Sequence, residues 1–291
     1  MKLLVADVQL AACADSSRAT GGRWNSGRRN TPDMRWNSRE ASDAGFQIVA
    51  AAGGDGTAHE VANGILGSKA DPLLAIVPTG SANDYARSVE RQFGVQSLTS
   101  PTGNWVDVGR VTHGEAEEGR YFIEAAGVGL SGAVTQTARG IPFLQGIPLY
   151  GLAAWRVLRT MGAAASWQLR YGHEEASTRA ARMASVMLGQ REGGFPMAPE
   201  ALLDDGMFEV VEVGNIDRWE AVRLLPRLAW RGPPEHHLQI IRRSCQNLCL
   251  EAGEGLFVHA DGEVLSRPED NMRRVRFEIL PRRLRVMVCG V

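Results

Sequence analysis

Apolar residues in the first third of the chain form short continuous runs, each followed by glycine and then by apolar positions at helical spacing. A strand predicted at 47–51 leads into AAGGDGTAHEVANG at 51–64, where the apolar positions take up a helical period. Thr57, with Glu60 three residues later, is the predicted N-cap of this helix. The pattern predicts a strand, a glycine loop and a helix, while the Asp-Gly pair leaves a hairpin or a plain linker as the alternative.

A second segment of the same kind follows. A strand predicted at 73–77 runs into PTGSANDYARS, and a helix is predicted to begin near Tyr85; a short helix at 38–44 is predicted before the first strand. Two strand-loop-helix segments in succession indicate a parallel sheet flanked by helices, whose ligands bind beyond the carboxyl ends of the strands. Both glycine loops are therefore predicted to lie on that edge of the sheet.

After about residue 105 the pattern changes to short alternating runs, which favour antiparallel β-structure. These runs lie at 106–111, 121–126, 184–188, 207–213, 237–241, 248–251, 275–280 and 284–288. Helices are predicted at 150–161 and 218–230, where Leu, Val and Trp are combined with arginine. Helices of this kind usually cover a core, and a membrane-facing role is the alternative.

Composition excludes several classes of protein. The net charge of −1 gives no global field that would favour a nucleic-acid partner, and the absence of a GxxxxGK sequence excludes a P-loop. The four cysteines are too few and too scattered for a disulfide framework, which favours a reducing cytoplasm. Cys245 and Cys249 are interpreted as packing residues, with a metal site as the alternative. Residues 15–40, polar and arginine-rich with RWNS present twice, are predicted to be a flexible surface segment.

The two glycine loops carry groups suited to phosphate. A glycine loop that opens a helix directs backbone N–H groups and the positive helix end at one point. The second loop adds hydroxyls, an amide and a carboxylate. Asp55 and Asp84 would lie at the same sheet edge, where two carboxylates near a polyphosphate would repel it unless a hard cation such as Mg²⁺ intervened. The sequence therefore predicts half of a nucleotide site and, indirectly, a magnesium ion.

GGDGTAHEVANGI followed by PTGSANDYARS resembles the catalytic domain of the superfamily that contains diacylglycerol kinases, sphingosine kinases and bacterial YegS-like lipid kinases. The resemblance continues through VDVGRV at 106–111, GGFPMAPEALLDDGMFEVVEV at 193–213 and DGE at 261–263, and it covers about residues 40–291. NAD kinases share the GGDGT element, but HEVANG and the LDDG segment are similar to the lipid enzymes.

The resemblance implies two domains. An N-terminal nucleotide-binding domain at 1–107, Rossmann-like, three-layered and α/β with a parallel sheet, would be joined by the tail at 281–291. A C-terminal antiparallel β-sandwich at 108–280 would bind the lipid.

The resemblance also implies an ATP-dependent kinase that phosphorylates the hydroxyl of diacylglycerol or a related lipid. Carried over by position, the residues that cradle the phosphates are Gly53, Gly54, Gly56, Thr57, Thr79, Gly80 and Asn83. The carboxylates of a water network around the catalytic Mg²⁺ are Asp55, Asp84 and Asp107. The implied general base is Asp261, supported by Glu263. A structural Mg²⁺ site would use Asp205 and the carbonyls of Leu202 and Met207. An Asp-Gly turn is the alternative for both Asp261-Gly262 and Asp204-Asp205-Gly206.

The amino terminus departs from the family pattern. Family members usually begin with a strand and an Asn-Pro-x-Ser-Gly loop, whereas this chain has Asn25-Ser26-Gly27 alone. An NAD kinase-like enzyme and a catalytically weak nucleotide- or lipid-binding homologue are therefore the alternative functions. The expected partners are ATP, Mg²⁺ and a lipid at a membrane surface, with no nucleic acid and with a homodimer left open. The expected location is the cytoplasm, with peripheral contact at the inner membrane face.

Overall fold

The chain divides into two compact units. A computed structural model describes residues 2–6, 23–27, 46–96, 102–113 and 119–289, with the backbone alone for 2–6, 23–27 and 113. Unit 1 consists of Met1–Val108 with Pro281–Val291, and unit 2 consists of Gly109–Leu280.

The described elements follow one another from a strand-helix alternation to a strand-rich region. The strands are β1 (Lys2–Ala6), β2 (Arg23–Gly27), β3 (Ile48–Gly53), β4 (Leu73–Pro78), β5 (Val95–Gln96), β6 (Asn104–His113), β7 (Arg120–Phe122), β8 (Ala125–Gly129), β9 (Ala165–Tyr171), β10 (Ser177–Ala181), β11 (Met183–Met187), β12 (Phe208–Val213), β13 (Ile240–Cys245), β14 (Asn247–Ala252), β15 (Val258–Ala260), β16 (Glu263–Ser266) and β17 (Arg274–Cys289). The α-helices are α1 (Asp55–Leu66), α2 (Asp84–Phe93), α3 (Leu130–Arg139), α4 (Gly146–Arg159) and α5 (Arg218–Arg231), and a 3₁₀ turn spans Pro268–Asp270.

Unit 1 is built on a parallel sheet. Its strands lie in the order β2, β1, β3, β4 and the end of β17, and each neighbouring pair is parallel. Because β3 and β4 are buried on both faces, their sequences are continuous apolar runs and do not alternate. The predicted parallel α/β fold is confirmed.

Two local predictions for unit 1 are wrong. Helix α1 begins at Asp55 with Gly54 as its N-cap, so Thr57 is not the cap; it lies buried in the first turn. Residues Arg23–Gly27 form a strand parallel to β1, although the polarity of 15–40 predicts a flexible segment. The rest of 15–40, and the helix predicted at 38–44, lie outside the described residues.

Unit 2 is an antiparallel β-sandwich. One sheet has the order β10, β9, β14 and the start of β17, and the other has the order β13, β12, β11, β8, β15 and β16. Side chains of both sheets meet in one core, in which the Phe122 ring stacks on Phe208 at 5.6 Å and contacts Phe277 edge-on at 6.3 Å. The predicted sandwich is confirmed.

Three helices accompany the sandwich. Helices α4 and α5 confirm the predictions at 150–161 and 218–230, whereas the pattern did not predict α3. Among the helices in the described part of the chain, none combines the length and the apolar character needed to cross a bilayer.

Some predicted strands differ from the observed ones. The run at 121–126 is interrupted by a bend at Ile123–Glu124, and the strand predicted at 237–241 begins at Ile240. The runs at 275–280 and 284–288 belong to the single strand β17, whose irregular point is Arg282, with φ of +48°.

Candidate functional site

The two glycine loops meet at the carboxyl ends of β3 and β4. The Gly53 carbonyl accepts hydrogen bonds from the Thr79 N–H at 3.1 Å and from the Gly80 N–H at 3.2 Å. The structure therefore brings both loops to one edge of the parallel sheet.

Contact between the loops depends on glycine at position 80. A Cβ added at Gly80 would lie 2.3 Å from the Gly54 Cα, a distance that side-chain carbons do not adopt. The Asn83 side chain holds the second loop, since its Oδ1 accepts from the Gly80 N–H at 3.0 Å and its Nδ2 donates to the Gly80 carbonyl at 2.8 Å. Asn83 itself has φ of +51°, a conformation that asparagine tolerates better than most residues.

The other two loop glycines differ in their surroundings. A Cβ added at Gly53 would lie 2.3 Å from the Thr57 Oγ1, so glycine there makes room for a buried side chain of the first turn of α1. A Cβ added at Gly56 would meet nothing within 4 Å. Protein packing therefore explains Gly53 and Gly80. It restricts Gly54 less, because a Cβ there would lie 3.3 Å from the Gly80 Cα, and it does not explain Gly56.

Asp55 links the first loop to the helix that follows the second. Its Oδ1 accepts a hydrogen bond from the Tyr85 N–H at 3.0 Å, in the first turn of α2. A carboxylate at this place satisfies a backbone donor and interacts favourably with the positive end of the helix. Asp84, the first residue of α2, is buried.

Asp107 is buried on β6 and accepts a hydrogen bond at 2.7 Å from the N–H of Arg282. It thereby stabilises the left-handed residue of β17, which is a structural role. Among the described residues, no three His, Cys, Asp or Glu side chains form a group that could ligate a metal ion directly. The water-mediated magnesium network of Asp55, Asp84 and Asp107 stays a prediction.

Asp261 lies at the tip of the β15–β16 hairpin. Asp261 and Gly262 have φ of +44° and +80°, as a two-residue turn between paired strands requires, so the Asp-Gly turn considered as the alternative is present. Three backbone N–H groups of unit 2 also hold the Asp261 carboxylate by hydrogen bonds. Its Oδ2 accepts from the Ile123 N–H at 2.8 Å, and its Oδ1 accepts from the N–H groups of Glu124 at 3.0 Å and Ala125 at 2.9 Å.

The bend between β7 and β8 thus directs three successive N–H groups at one carboxylate, an arrangement that suits an anion. The Asp261 N–H in turn donates to the Ala125 carbonyl at 2.7 Å. Next to it, the Glu263 Oε2 accepts from Arg120 Nε at 2.7 Å and Nη2 at 2.6 Å. Arg139 Nη2 donates to the Gly262 carbonyl at 2.7 Å.

A buried polar group that the sequence analysis missed lies two residues before Asp261. His259 Nε2 is 2.8 Å from the Ser131 Oγ and 3.0 Å from the Glu192 Oε1, and the Ser185 Oγ donates to the Glu192 Oε2 at 2.8 Å. Ser131 and Glu192 contact the same ring nitrogen, whereas a nucleophilic triad needs them on opposite nitrogens. The group is therefore a structural network, and a polar residue in the otherwise apolar run VHA is the sequence signal for it.

The LDDG segment forms a turn before β12. The Asp205 Oδ1 accepts from the Met207 N–H at 3.0 Å, and Gly206 has φ of +74°. Leu202 and Asp205 are exposed. The turn is present, but it lies within the long connection between the paired strands β11 and β12 and is not a tight hairpin turn. The structural magnesium site stays a prediction. Cys245 lies in the core of the sandwich, as expected of a packing residue.

Comparison with known proteins gives consistent results. The model of the diacylglycerol kinase catalytic domain matches residues 29–110, and that of the YegS C-terminal NAD kinase beta sandwich-like domain matches residues 124–288. "Probable lipid kinase YegS-like" of Pseudomonas aeruginosa (strain UCBPP-PA14) is 30% identical over 260 residues, which are 87% of this chain and 80% of the relative.

One further relative and one solved structure carry the name diacylglycerol kinase. That of Bacillus subtilis (strain 168) is 26% identical over 234 residues, covering 78% of this chain and 74% of the relative. A crystal structure of a diacylglycerol kinase from Bacillus anthracis str. Sterne is similar with a TM-score of 0.69 at 17% identity, covering 98% of this chain and 96% of that one. At this identity, the similarity to the crystal structure shows a shared fold and nothing more.

Proposed function

Because this chain belongs to the family of YegS-like lipid kinases and diacylglycerol kinases, it is a kinase, and we propose that it transfers the γ-phosphate of ATP to the hydroxyl group of diacylglycerol or a closely related lipid. In this reaction the hydroxyl oxygen forms a bond to the γ-phosphorus, the bond from that phosphorus to ADP breaks, and the hydroxyl proton passes to a base. Such transfer depends mainly on positioning and charge neutralisation.

The pair of glycine loops is the observation that supports ATP as the phosphate donor. Helices α1 and α2 begin beside each other at the carboxyl edge of the sheet, and Gly54 is the N-cap of α1 without a side-chain cap. The starts of helices attract phosphate through their N–H groups and their dipole. The open space at Gly56 is where a phosphate oxygen could approach the backbone, and a side chain would fill that space.

Magnesium is proposed as the cation that accompanies the triphosphate. Among the described residues, the acidic side chains near the loops do not form a group for direct ligation of the ion. When bound, Mg²⁺ would neutralise charge on the phosphates. Asp55 accepts a hydrogen bond from the first turn of α2, and Asp84 is the buried first residue of that helix. Both carboxylates would therefore interact with the ion through water.

Asp261 is proposed as the general base. An ionised carboxylate accepts hydrogen bonds at both oxygens, which is how Asp261 is held by three N–H groups, and the ionised form is the one that can take a proton. Glu263 and Arg120 pair beside it and fix the start of β16.

The test is a transfer assay with ATP labelled at the γ-phosphate. Dioleoylglycerol, monooleoylglycerol and sphingosine are offered in mixed micelles, and NAD is offered in parallel, each with Mg²⁺ and with excess chelator. Labelled phosphatidic acid that forms only with Mg²⁺ supports the proposal. Labelled NADP without labelled lipid would identify an NAD kinase instead, and the absence of any labelled product would contradict kinase activity of this chain.

A further inference from the structure

Segment 188–192, which follows β11, contacts the bend between β7 and β8. The Glu124 carbonyl in this bend accepts hydrogen bonds from the Leu188 N–H at 2.9 Å and from the Gly189 N–H at 3.0 Å. Glu124 is buried, and its Oε1 accepts from the Arg191 N–H at 3.2 Å. The carbonyl and the carboxylate of one residue in the bend are therefore both held by the same short segment.

A single peptide unit carries this contact to Asp261. The carbonyl of Glu124 and the N–H of Ala125 belong to one planar unit, in which the two groups point in opposite directions. The Ala125 N–H donates to the Asp261 Oδ1 at 2.9 Å, and the Glu124 N–H donates to the same oxygen at 3.0 Å. Because segment 188–192 holds the carbonyl, it also fixes the direction in which the Ala125 N–H meets the carboxylate.

Glycine at position 189 makes this contact possible. A Cβ added at Gly189 would overlap the Glu124 carboxylate group. The Glu124 side chain therefore lies directly against the backbone of segment 188–192, and a larger residue at position 189 would have to displace it.

The far end of the segment contacts the strand that leads to Asp261. The Glu192 Oε1 lies 3.0 Å from the His259 Nε2, and the Ser185 Oγ donates to the Glu192 Oε2 at 2.8 Å. His259 is buried on β15, two residues before Asp261. One segment thus contacts both parts of the chain that place Asp261: the bend that supplies its hydrogen bonds and the strand that ends beside it.

We propose that segment 188–192 positions Asp261 for proton transfer; this rests on the proposed function, in which Asp261 is the general base. A base must lie within hydrogen-bond reach of the hydroxyl that it deprotonates, and an error of about 1 Å in position can cost about 100-fold in rate. The N–H groups of the bend can fix Asp261 only if the bend is itself fixed, which is what the segment does. The positioning residues are Glu124, Glu192 and His259.

The first test measures hydrogen exchange of backbone amides by NMR in the full chain. Glu192→Ala removes the contact with His259 and loosens the segment. The Glu124 and Ala125 amides, which Asp261 protects, should then exchange at least about tenfold faster relative to the amides of β12, which report opening of the sandwich as a whole.

Tyr171→Phe is the control for this measurement. It removes a different buried hydrogen bond of unit 2, the one that the Tyr171 hydroxyl donates to Glu212. The control should leave the two bend amides unchanged relative to β12. Unaltered exchange in Glu192→Ala, or the same acceleration in the control, would overturn the proposal.

Gly189→Ala tests the other contact of the segment. The added methyl group would displace the Glu124 side chain, so the Glu124 and Ala125 amides should again lose protection, although Glu192 is unaltered. Full protection of both amides in this variant would show that Glu124 does not fix the bend, which contradicts the proposal.

The second test measures phosphoryl transfer to dioleoylglycerol. Glu192→Ala should lower kcat by about 10- to 100-fold and leave KM for ATP unchanged, because a misplaced base slows transfer without weakening nucleotide binding. Glu192→Gln should restore most of kcat, since its amide oxygen can take the place of Oε1 beside His259 and its NH₂ can donate to Ser185. Equal kcat in the Ala variant and the unaltered chain, or equal losses in the Ala and Gln variants, would overturn the proposal.

A double-mutant cycle separates positioning of the base from a general effect on structure. If Glu192 acts through Asp261, Glu192→Ala should lower kcat no further in a chain that already carries Asp261→Asn. A further loss of the same size would assign Glu192 to overall structure and contradict the proposal. If the bend amides respond as predicted but the unaltered chain phosphorylates no lipid, the segment holds Asp261 and the proposed function fails.

Discussion

The backbones of Gly54 and Gly80 lie in direct contact, so closely that a Cβ on Gly80 would be 2.3 Å from the Gly54 Cα. The contact joins two loops that follow neighbouring parallel strands. It brings the starts of α1 and α2 together, and it also leaves no room for a side chain at Gly80.

Gly80→Ala should therefore separate the loops or strain them. Overpacking of this kind costs about 1–3 kcal/mol, and we expect a loss of that size in the free energy of unfolding, measured by urea denaturation. Gly253→Ala is the control, because a Cβ there would meet nothing within 4 Å. Equal stability of the two variants would show that the Gly54–Gly80 contact is not needed.

Gly56→Ala should leave stability unchanged or raise it slightly, because alanine is favoured over glycine in a helix by about 0.5–1 kcal/mol. The same methyl group would occupy the open space at the loop, so the dissociation constant of ATP should rise. Equilibrium dialysis with labelled ATP measures it. Unchanged ATP affinity would remove Gly56 from the phosphate site.

Asp55 allows its structural and its electrostatic contributions to be separated. Asp55→Asn keeps an oxygen that can accept from the Tyr85 N–H, so its stability should stay close to that of the unaltered chain, while phosphoryl transfer should fall because a charge is lost. Asp55→Ala should in addition lose about 1 kcal/mol of stability. Denaturation and transfer assays on both variants are the measurements; full activity of Asp55→Asn would assign Asp55 to structure alone.

Asp261→Asn is expected to affect folding as well as catalysis. Both carboxylate oxygens accept N–H groups, so an amide NH₂ must face a backbone donor and leave it without an acceptor, at a cost of about 1–3 kcal/mol. Asp217→Asn is the control, because Asp217 uses one oxygen, Oδ1, to cap α5 and asparagine can replace it there. Loss of activity in a fully stable Asp261→Asn variant would assign Asp261 to catalysis only.

The sandwich should lose stability in alkali. Burial, followed by the charge of Glu209, raises the pKa of the Cys245 thiol from its ordinary 9.0 to about 12. Burial, followed by the Glu212 charge, also raises the pKa of Tyr171, whose hydroxyl donates to Glu212. Above about pH 9 the unfolded chain loses the thiol proton that the folded chain keeps, so the free energy of unfolding falls as pH rises.

Urea denaturation at several pH values between 8 and about 10.5 measures this effect, within the range in which a free thiol ionises. Cys245→Ala should show a smaller decline across that range than the unaltered chain, whatever its stability at neutral pH. Parallel declines in the two proteins would show that Cys245 is not responsible.

The elements of the fold that depend on residues close together in the sequence could be predicted from the sequence. The two strand-loop-helix segments are local patterns of hydrophobicity and glycine, and α1 and α2 lie within a few residues of their predicted starts. Thr57 was predicted as the N-cap because its side chain suits that role, but Gly54 takes it and Thr57 packs on Gly53. Helix α3, whose sequence LSGAVTQTAR contains one glycine and three β-branched residues, has a weak helical signal.

Contacts between distant residues could not be predicted in this way. Asp107 and Arg282 are 175 positions apart, and their hydrogen bond depends on a left-handed residue that the sequence does not mark. Likewise, the three N–H groups that hold Asp261 come from a bend inside a run predicted as one strand. The resemblance to a known family identified the residues of the site. The contacts that hold these residues in position could be seen only in the structure.

Strand β17 has a consequence for how the chain is made. Val286, Met287 and Val288 pair with Leu74, Ala75 and Ile76 of β4, so one side of β4 lacks this partner until the ribosome has passed residue 288. During that time the strand offers an apolar, hydrogen-bonding edge, which is the kind of surface that draws chains into aggregates or to chaperones. Truncation before residue 286 should therefore yield insoluble protein, even though every residue of the glycine loops would be retained.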